Sequence, residues 1–169
     1  MERGAKRVFG VAGFSGAGKT TLLEKLIARF VAQGLTVAVI KQTHHDFDLD
    51  QPGKDSWRHR AAGASEVLLA SDRRWALMHE VRGLAPPALK EQVARLSPCD
   101  LVLLEGYKRE PVPKLEVHRP AMGAALLYPE DPHILALASD EPVTTTLPWF
   151  ALNDVPAIAD FILQHARPI

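Results

Sequence analysis

The chain has 169 residues, 47% hydrophobic and 24% charged, which is the length of one domain and the composition of a globular rather than a disordered one. Twenty Lys and Arg cancel twenty Asp and Glu; no overall field draws the protein to nucleic acid or an acidic membrane, and any anion site must be local. The single cysteine, Cys99, excludes a disulfide framework and any multi-cysteine metal centre within one chain, and apolar runs such as 101–104 and 134–138 are far below the ~20 residues that cross a bilayer.

The charged start, Met1 to Arg7, is followed by an apolar stretch too short for a secretory signal, so a cytoplasmic location is expected. Residues 7–12 are apolar and rich in Val and Phe, which predicts a buried strand. A glycine loop follows, then Leu22, Leu23, Leu26, Ile27 and Phe30 at helical spacing, with Gln33-Gly34 as a stop. Residues 36–40 are a second β-branched strand. Strand, glycine loop, helix and strand make a βαβ unit, hence a parallel pair with a right-handed crossover.

Residues 41–54 are polar and broken by Pro52-Gly53, a long loop of functional character. A helix is expected over 55–64. Strands over 66–71 and 75–81, joined across the turn residues Ser71 to Arg74, pair as a hairpin. A helix begins at Pro86 or Pro87 and runs to Leu96. Further strands are expected at 100–104, 114–118 and 134–138, with 144–147 continuing the sheet. Asn153-Asp154 caps a last helix through about His165. Apolar strands interleaved with helices give an α/β fold, a three-layer P-loop NTPase with a mostly parallel sheet plus the hairpin extension, in a single nucleotide-binding domain spanning 1–169.

Gly13-Phe14-Ser15-Gly16-Ala17-Gly18-Lys19-Thr20 matches G-x-x-x-x-G-K-S/T at every fixed position. The glycines let successive N–H groups converge on a β-phosphate, and the helix that follows adds its positive end. Lys19 reaches the β- and γ-oxygens, Thr20 supplies a hydroxyl to Mg²⁺, and Thr21 is placed for the α-phosphate. Glu105 stands at the carboxyl end of the strand at 101–104, where open α/β sheets gather ligands; it can hold Mg²⁺ or orient the attacking water. In the loop after the second strand, Asp46 is the first choice for a Mg²⁺-shell carboxylate and Asp48 the alternative. His44 and His45 point apart in extended backbone, so a surface loop is favoured over a zinc site. Lys41 reads equally as an anion contact or a solvated charge.

Asp140 follows the strand at 134–138. A carboxylate there can accept both the N1–H and the exocyclic amine of guanine, selecting GTP over ATP; a simple turn before Pro142 explains it as well. Asn153-Asp154 competes for that role but reads first as a helix cap. Arg58, His59, Arg60, Arg73 and Arg74 are further anion contacts or a wet surface, and Trp57, Trp75 and Trp149 read as packing residues rather than base platforms.

Residues 13–22, the run His44-His45-Asp46-Phe47-Asp48, then Pro52-Gly53-Lys54-Asp55-Ser56, Arg60 and Ala62-Gly63-Ala64 occur in one order with Leu103 to Lys108 and Leu152-Asn153-Asp154. Together they resemble the molybdopterin-guanine dinucleotide biosynthesis protein B (MobB) family over nearly the whole chain. The resemblance implies a GTP-binding P-loop protein with slow GTPase activity that assists the enzyme joining GMP to molybdopterin, and a homodimer built through extended β segments. By matching position, Gly13–Thr21 would bind phosphates, Thr20 would bind Mg²⁺ and Glu105 would be the acidic partner. Direct binding of molybdopterin is left open. A P-loop small-molecule kinase and a non-catalytic nucleotide-dependent adapter are the alternative readings.

Overall fold

The computed structural model describes residues 6–43 and 46–169. In chain order the elements are β1 (Arg7–Ala12), α1 (Lys19–Ala32), β2 (Val37–Lys41), α2 (Asp55–Ala61), β3 (Glu66–Ala70), β4 (Trp75–His79), α3 (Leu89–Arg95), β5 (Leu101–Glu105), β6 (Lys114–His118), β7 (Ile134–Ser139), β8 (Trp149–Ala151), α4 (Val155–His165) and β9 (Arg167–Pro168). The described residues form two compact units: 6–42 with 89–169, and 43 with 46–88.

The first unit is an α/β sheet of order β2-β5-β1-β6-β7-β8, parallel throughout, with β9 added antiparallel to the start of β1. β5 is buried at every residue and β1 at all but its first, as expected of central parallel strands. One face packs Phe9, Val11, Leu103 and Val117 against α1 and α4, through Leu26, Phe30, Ile158 and Ile162. The other face packs Val8, Val102 and Leu104 against Leu89 and Val93 of α3. Burying these thirteen apolar side chains at about 1.5–3 kcal/mol each supplies the drive that holds the layers together.

Three sequence expectations are corrected here. The two strands of the opening βαβ unit are parallel but not adjacent, because β5 inserts between them. Local pattern specifies a crossover, not which later strand fills the gap. The third helix starts at Leu89, beyond both prolines. Residues 144–147 are not a strand; the sheet continues at Trp149–Ala151, where Trp149 Nε1 donates to Ser139 Oγ at 2.7 Å.

The second unit holds α2 and the antiparallel hairpin β3–β4, whose register pairs Glu66 with His79 and Ala70 with Trp75. Arg60 organises it, with Asp48 at 2.8 Å, Asp50 at 3.2 Å and Glu80 at 3.1 Å. The hairpin leaves Leu68, Leu69, Trp75 and Leu77 exposed.

Candidate functional site

Because strands β1, β2 and β5 to β8 all run the same way, their carboxyl ends share one edge of the sheet. The chain turns to opposite sides of β1 at this edge, with β5 on one flank and β6 on the other, which is where open α/β sheets place ligands. β1 delivers residues 13–18 there. Gly13 has φ 144, and a β-carbon on it would strike the Val117 carbonyl of β6, so no other residue fits without moving the sheet. α1 opens on Gly18, with no side-chain cap and no acid in its first turn. The first N–H groups of a helix have no intrahelical acceptor and carry its positive end, so this terminus is suited to an anion.

Charged side chains from the start of α1 and from the ends of β2 and β5 meet at the loop. Lys19 Nζ donates to the carbonyls of Gly13 at 3.0 Å and Phe14 at 2.8 Å. Burial pushes its pKa down; Glu105 opposes that shift, and Lys108 and Lys41 add to it. Thr20 Oγ1 donates to Glu105 Oε1 at 2.8 Å, and Lys41 Nζ lies 3.5 Å from the same oxygen. Lys108 Nζ sits 4.3 Å from the centre of the Phe14 ring. A chain of zero net charge thus concentrates Lys19, Lys41 and Lys108 around one buried carboxylate, a strongly cationic point for an anion. Lys41, ambiguous in the sequence, is a partner of Glu105.

On the other side of the loop lies a cavity of about 260 Å³, walled by Leu22 and Leu152 and edged by Gly18, Thr21, Lys25, Arg119, Asp140 and Asn153. Asp140 therefore stands beside the phosphate loop. The Asn153-Asp154 alternative divides: Asn153 edges the cavity, while Asp154 caps α4, accepting from Ala157 N at 3.2 Å. Sequence reasoning missed Arg119. Its Nε donates to Ala17 O at 3.0 Å and its Nη1 lies 3.6 Å from Asp140 Oδ2. The available signal was its position, directly after the strand that flanks β1.

The other candidates lie in the second unit. Asp46 is exposed. Asp48 accepts from the N–H of Asp50 and from Arg60, which hold its pKa below the ordinary carboxylate value. Arg60, one of the proposed anion contacts, is occupied by three carboxylates. Arg58 lies 4.0 Å from Asp55, and Arg73 and Arg74 flank the hairpin turn, their N–H groups donating to Ser71 Oγ. His44 and His45 lie outside the described residues.

Comparison with known proteins agrees with this geometry. Residues 8–140 match the family model described as molybdopterin guanine dinucleotide synthesis protein B (MobB). The chain is 46% identical over 157 residues to a molybdopterin-guanine dinucleotide biosynthesis adapter protein of Haemophilus influenzae, covering 92% of this chain and 86% of that protein. It is 42% identical over 159 residues to the protein of the same name in Escherichia coli K12, covering 90% and 89%. Among solved structures, a molybdopterin-guanine biosynthesis protein B superposes with a TM-score of 0.73 at 29% identity, over 93% of this chain and 98% of that one. Bacillus subtilis MobB superposes with a TM-score of 0.74 at 25% identity, over 95% and 98%. No helix among the described residues is long and apolar enough to cross a membrane. With a family model covering most of its length and relatives above 40% identity along nearly all of it, the chain belongs to the MobB family of P-loop α/β proteins.

Proposed function

We propose that this chain is a GTP-binding adapter with weak Mg²⁺-dependent GTPase activity, acting in the cytoplasm to assist the enzyme that attaches GMP to molybdopterin. The observation that carries the reading is the joining of residues 13–20, the opening of α1 and the Thr20–Glu105 pair at one sheet edge. The adapter role is that of the relatives that share its length.

The residues present fit Mg²⁺. Two hard oxygen donors stand 2.8 Å apart at Thr20 and Glu105, and this ion is commonly bound through one or two such groups, with phosphate oxygens and waters completing the shell. When bound, it neutralises charge on the β- and γ-phosphates. Thr20 and Glu105 would hold it. Lys19 would leave the carbonyls of Gly13 and Phe14 for the phosphoryl oxygens. The loop amides would fix the β-phosphate while water attacks the γ-phosphorus in line, so the chain acts mainly by positioning and electrostatics. Asp140 would take the guanine N1–H and amine. A slow intrinsic rate that rises about 10³-fold or more with a partner-supplied arginine is the pattern for this chemistry.

Exposed Leu68, Leu69, Trp75 and Leu77 support a homodimer through the hairpin, since a two-stranded ribbon is only marginally stable alone and apolar patches of this kind mark interfaces. The test is calorimetric titration of GTP and ATP with and without Mg²⁺, together with GTP turnover by wild type and Lys19→Ala. Mg²⁺-dependent binding and turnover that disappear in the variant are expected; equal, background turnover would remove the GTPase.

A further inference from the structure

We infer that Arg119 is a guanine-reading residue: it donates to O6 of the base while Asp140 takes N1–H and the amine, so that an arginine and an aspartate together recognise one edge. This rests on the proposed binding of GTP and names the group that would read the base.

A nucleotide whose β-phosphate lies on residues 13–20 has its α-phosphate at the start of α1. Its nucleoside must then leave past Gly18 and Thr21, and both residues edge the cavity that holds Arg119 and Asp140. Along that ring edge guanine presents an amine donor, an N1–H donor and the O6 acceptor in sequence. Asp140 can only accept and Arg119 can only donate, so the pair is complementary in that order. Adenine, with an acceptor at N1 and a donor at C6, meets the wrong group at both positions.

The spacing suits this use. At 3.6 Å, Arg119 Nη1 and Asp140 Oδ2 hold each other electrostatically but are too far apart for a hydrogen bond. Each keeps its hydrogen-bonding capacity for a base, and N1 and O6 sit on adjacent ring atoms that require neighbouring partners. Arg119 is also anchored. Its Nε is spent on Ala17 O, and its Nη2 lies 3.3 Å from where a β-carbon on Gly18 would be, so the fork lies against the phosphate loop with Nη1 toward the cavity. Arginine is the usual donor to guanine O6 and N7, and such contacts discriminate by roughly 5- to 150-fold.

The experiment titrates full-length wild type, Arg119→Met and Arg119→Lys with GTP, inosine triphosphate, 2,6-diaminopurine riboside triphosphate and inorganic tripolyphosphate. Inosine keeps N1–H and O6; diaminopurine keeps the C2 amine but carries an amine in place of O6. Arg119→Met should bind GTP and inosine triphosphate about tenfold or more weakly, with diaminopurine triphosphate and tripolyphosphate unchanged. Arg119→Lys, which keeps the charge but loses the Nε bond to Ala17 O that aims the donor, should also lose preference for GTP over diaminopurine. An equal loss for all four ligands would make Arg119 a phosphate or structural residue and overturn the inference. So would unchanged GTP binding in both variants. Wild type that binds tripolyphosphate without preferring GTP to diaminopurine triphosphate would instead remove the guanine reading itself and leave the phosphate loop standing.

Discussion

Thr20 Oγ1 and Glu105 Oε1 meet at 2.8 Å although 85 residues separate them. Strand register explains the meeting. Glu105 ends β5 opposite Val11 of β1 on one side and Lys41 of β2 on the other, so the residue that closes the central strand lies next to the loop that β1 feeds. The same register brings Lys41 to 3.5 Å from the carboxylate, balancing a charge that burial would otherwise penalise.

Removing either oxygen should reveal the metal dependence. Thr20→Val and Glu105→Gln preserve size while removing a hydroxyl or a charge. Each should lower Mg²⁺-dependent GTP affinity by about 10- to 100-fold, the usual range for groups that hold or orient a metal's ligands. Calorimetry in Mg²⁺ and in chelator separates the effects: affinity in chelator should change little. Equal losses in both media would assign the pair to the fold.

Much of this site was legible because it is local. Residues 13–20 carry their chemistry in consecutive positions, and Glu105 and Asp140 declare themselves by following apolar strands. What the sequence concealed depends on tertiary placement. Arg119 reads as one more arginine until β6 is seen to flank β1 and set it on Ala17. The insertion of β5 between β1 and β2 is equally invisible to periodicity, since each strand's pattern reports burial and not neighbours. Asp48, the alternative to Asp46 in its loop, pairs with Arg60 12 residues on, a partner that position in the loop does not announce.

That pair gives a second prediction. Asp48 has its pKa lowered first by the N–H of Asp50 and then by Arg60. A carboxylate depressed on folding contributes stability that is present above its ordinary pKa and lost as pH falls through the lowered folded value. Replacing Arg60 with Met should raise the Asp48 pKa toward the ordinary value, read by NMR titration, and weaken protease resistance across residues 43–88. An unmoved pKa would mean that the Asp50 amide alone holds it.

A third concerns the sheet beneath the loop. A β-carbon on Gly10 would lie 2.5 Å from Lys114 Cγ. Lys114 cannot yield, because its buried ammonium is fixed by Asp131 at 2.6 Å and by the carbonyls of Lys108 and Glu110. Gly10→Ala should cost about 1–3 kcal/mol by overpacking, measured as a lower urea midpoint with an unchanged slope. A midpoint equal to wild type would show that the strand can shift.

Glu116 supplies the last test. It is wholly buried in β6 and accepts the N–H groups of Leu127 at 2.8 Å and Tyr128 at 2.9 Å. Burial raises its pKa, with those two bonds opposing. A raised carboxyl pKa means that the folded state binds the proton more tightly than the unfolded one, so this residue's contribution to stability declines as pH rises from the ordinary value through the folded one. Glu116→Gln removes that titration but turns an amide NH₂ toward one of the two N–H groups, a mismatch of about 1–3 kcal/mol. The variant should be less stable than wild type, with the deficit largest in acid, below the ordinary carboxylate value, and smaller once pH has risen through the raised folded one. Urea midpoints for both proteins across that range decide it: a deficit that widens toward neutral pH would mean the ionised carboxylate is the form the fold prefers, held by Leu127 and Tyr128 more strongly than burial opposes it.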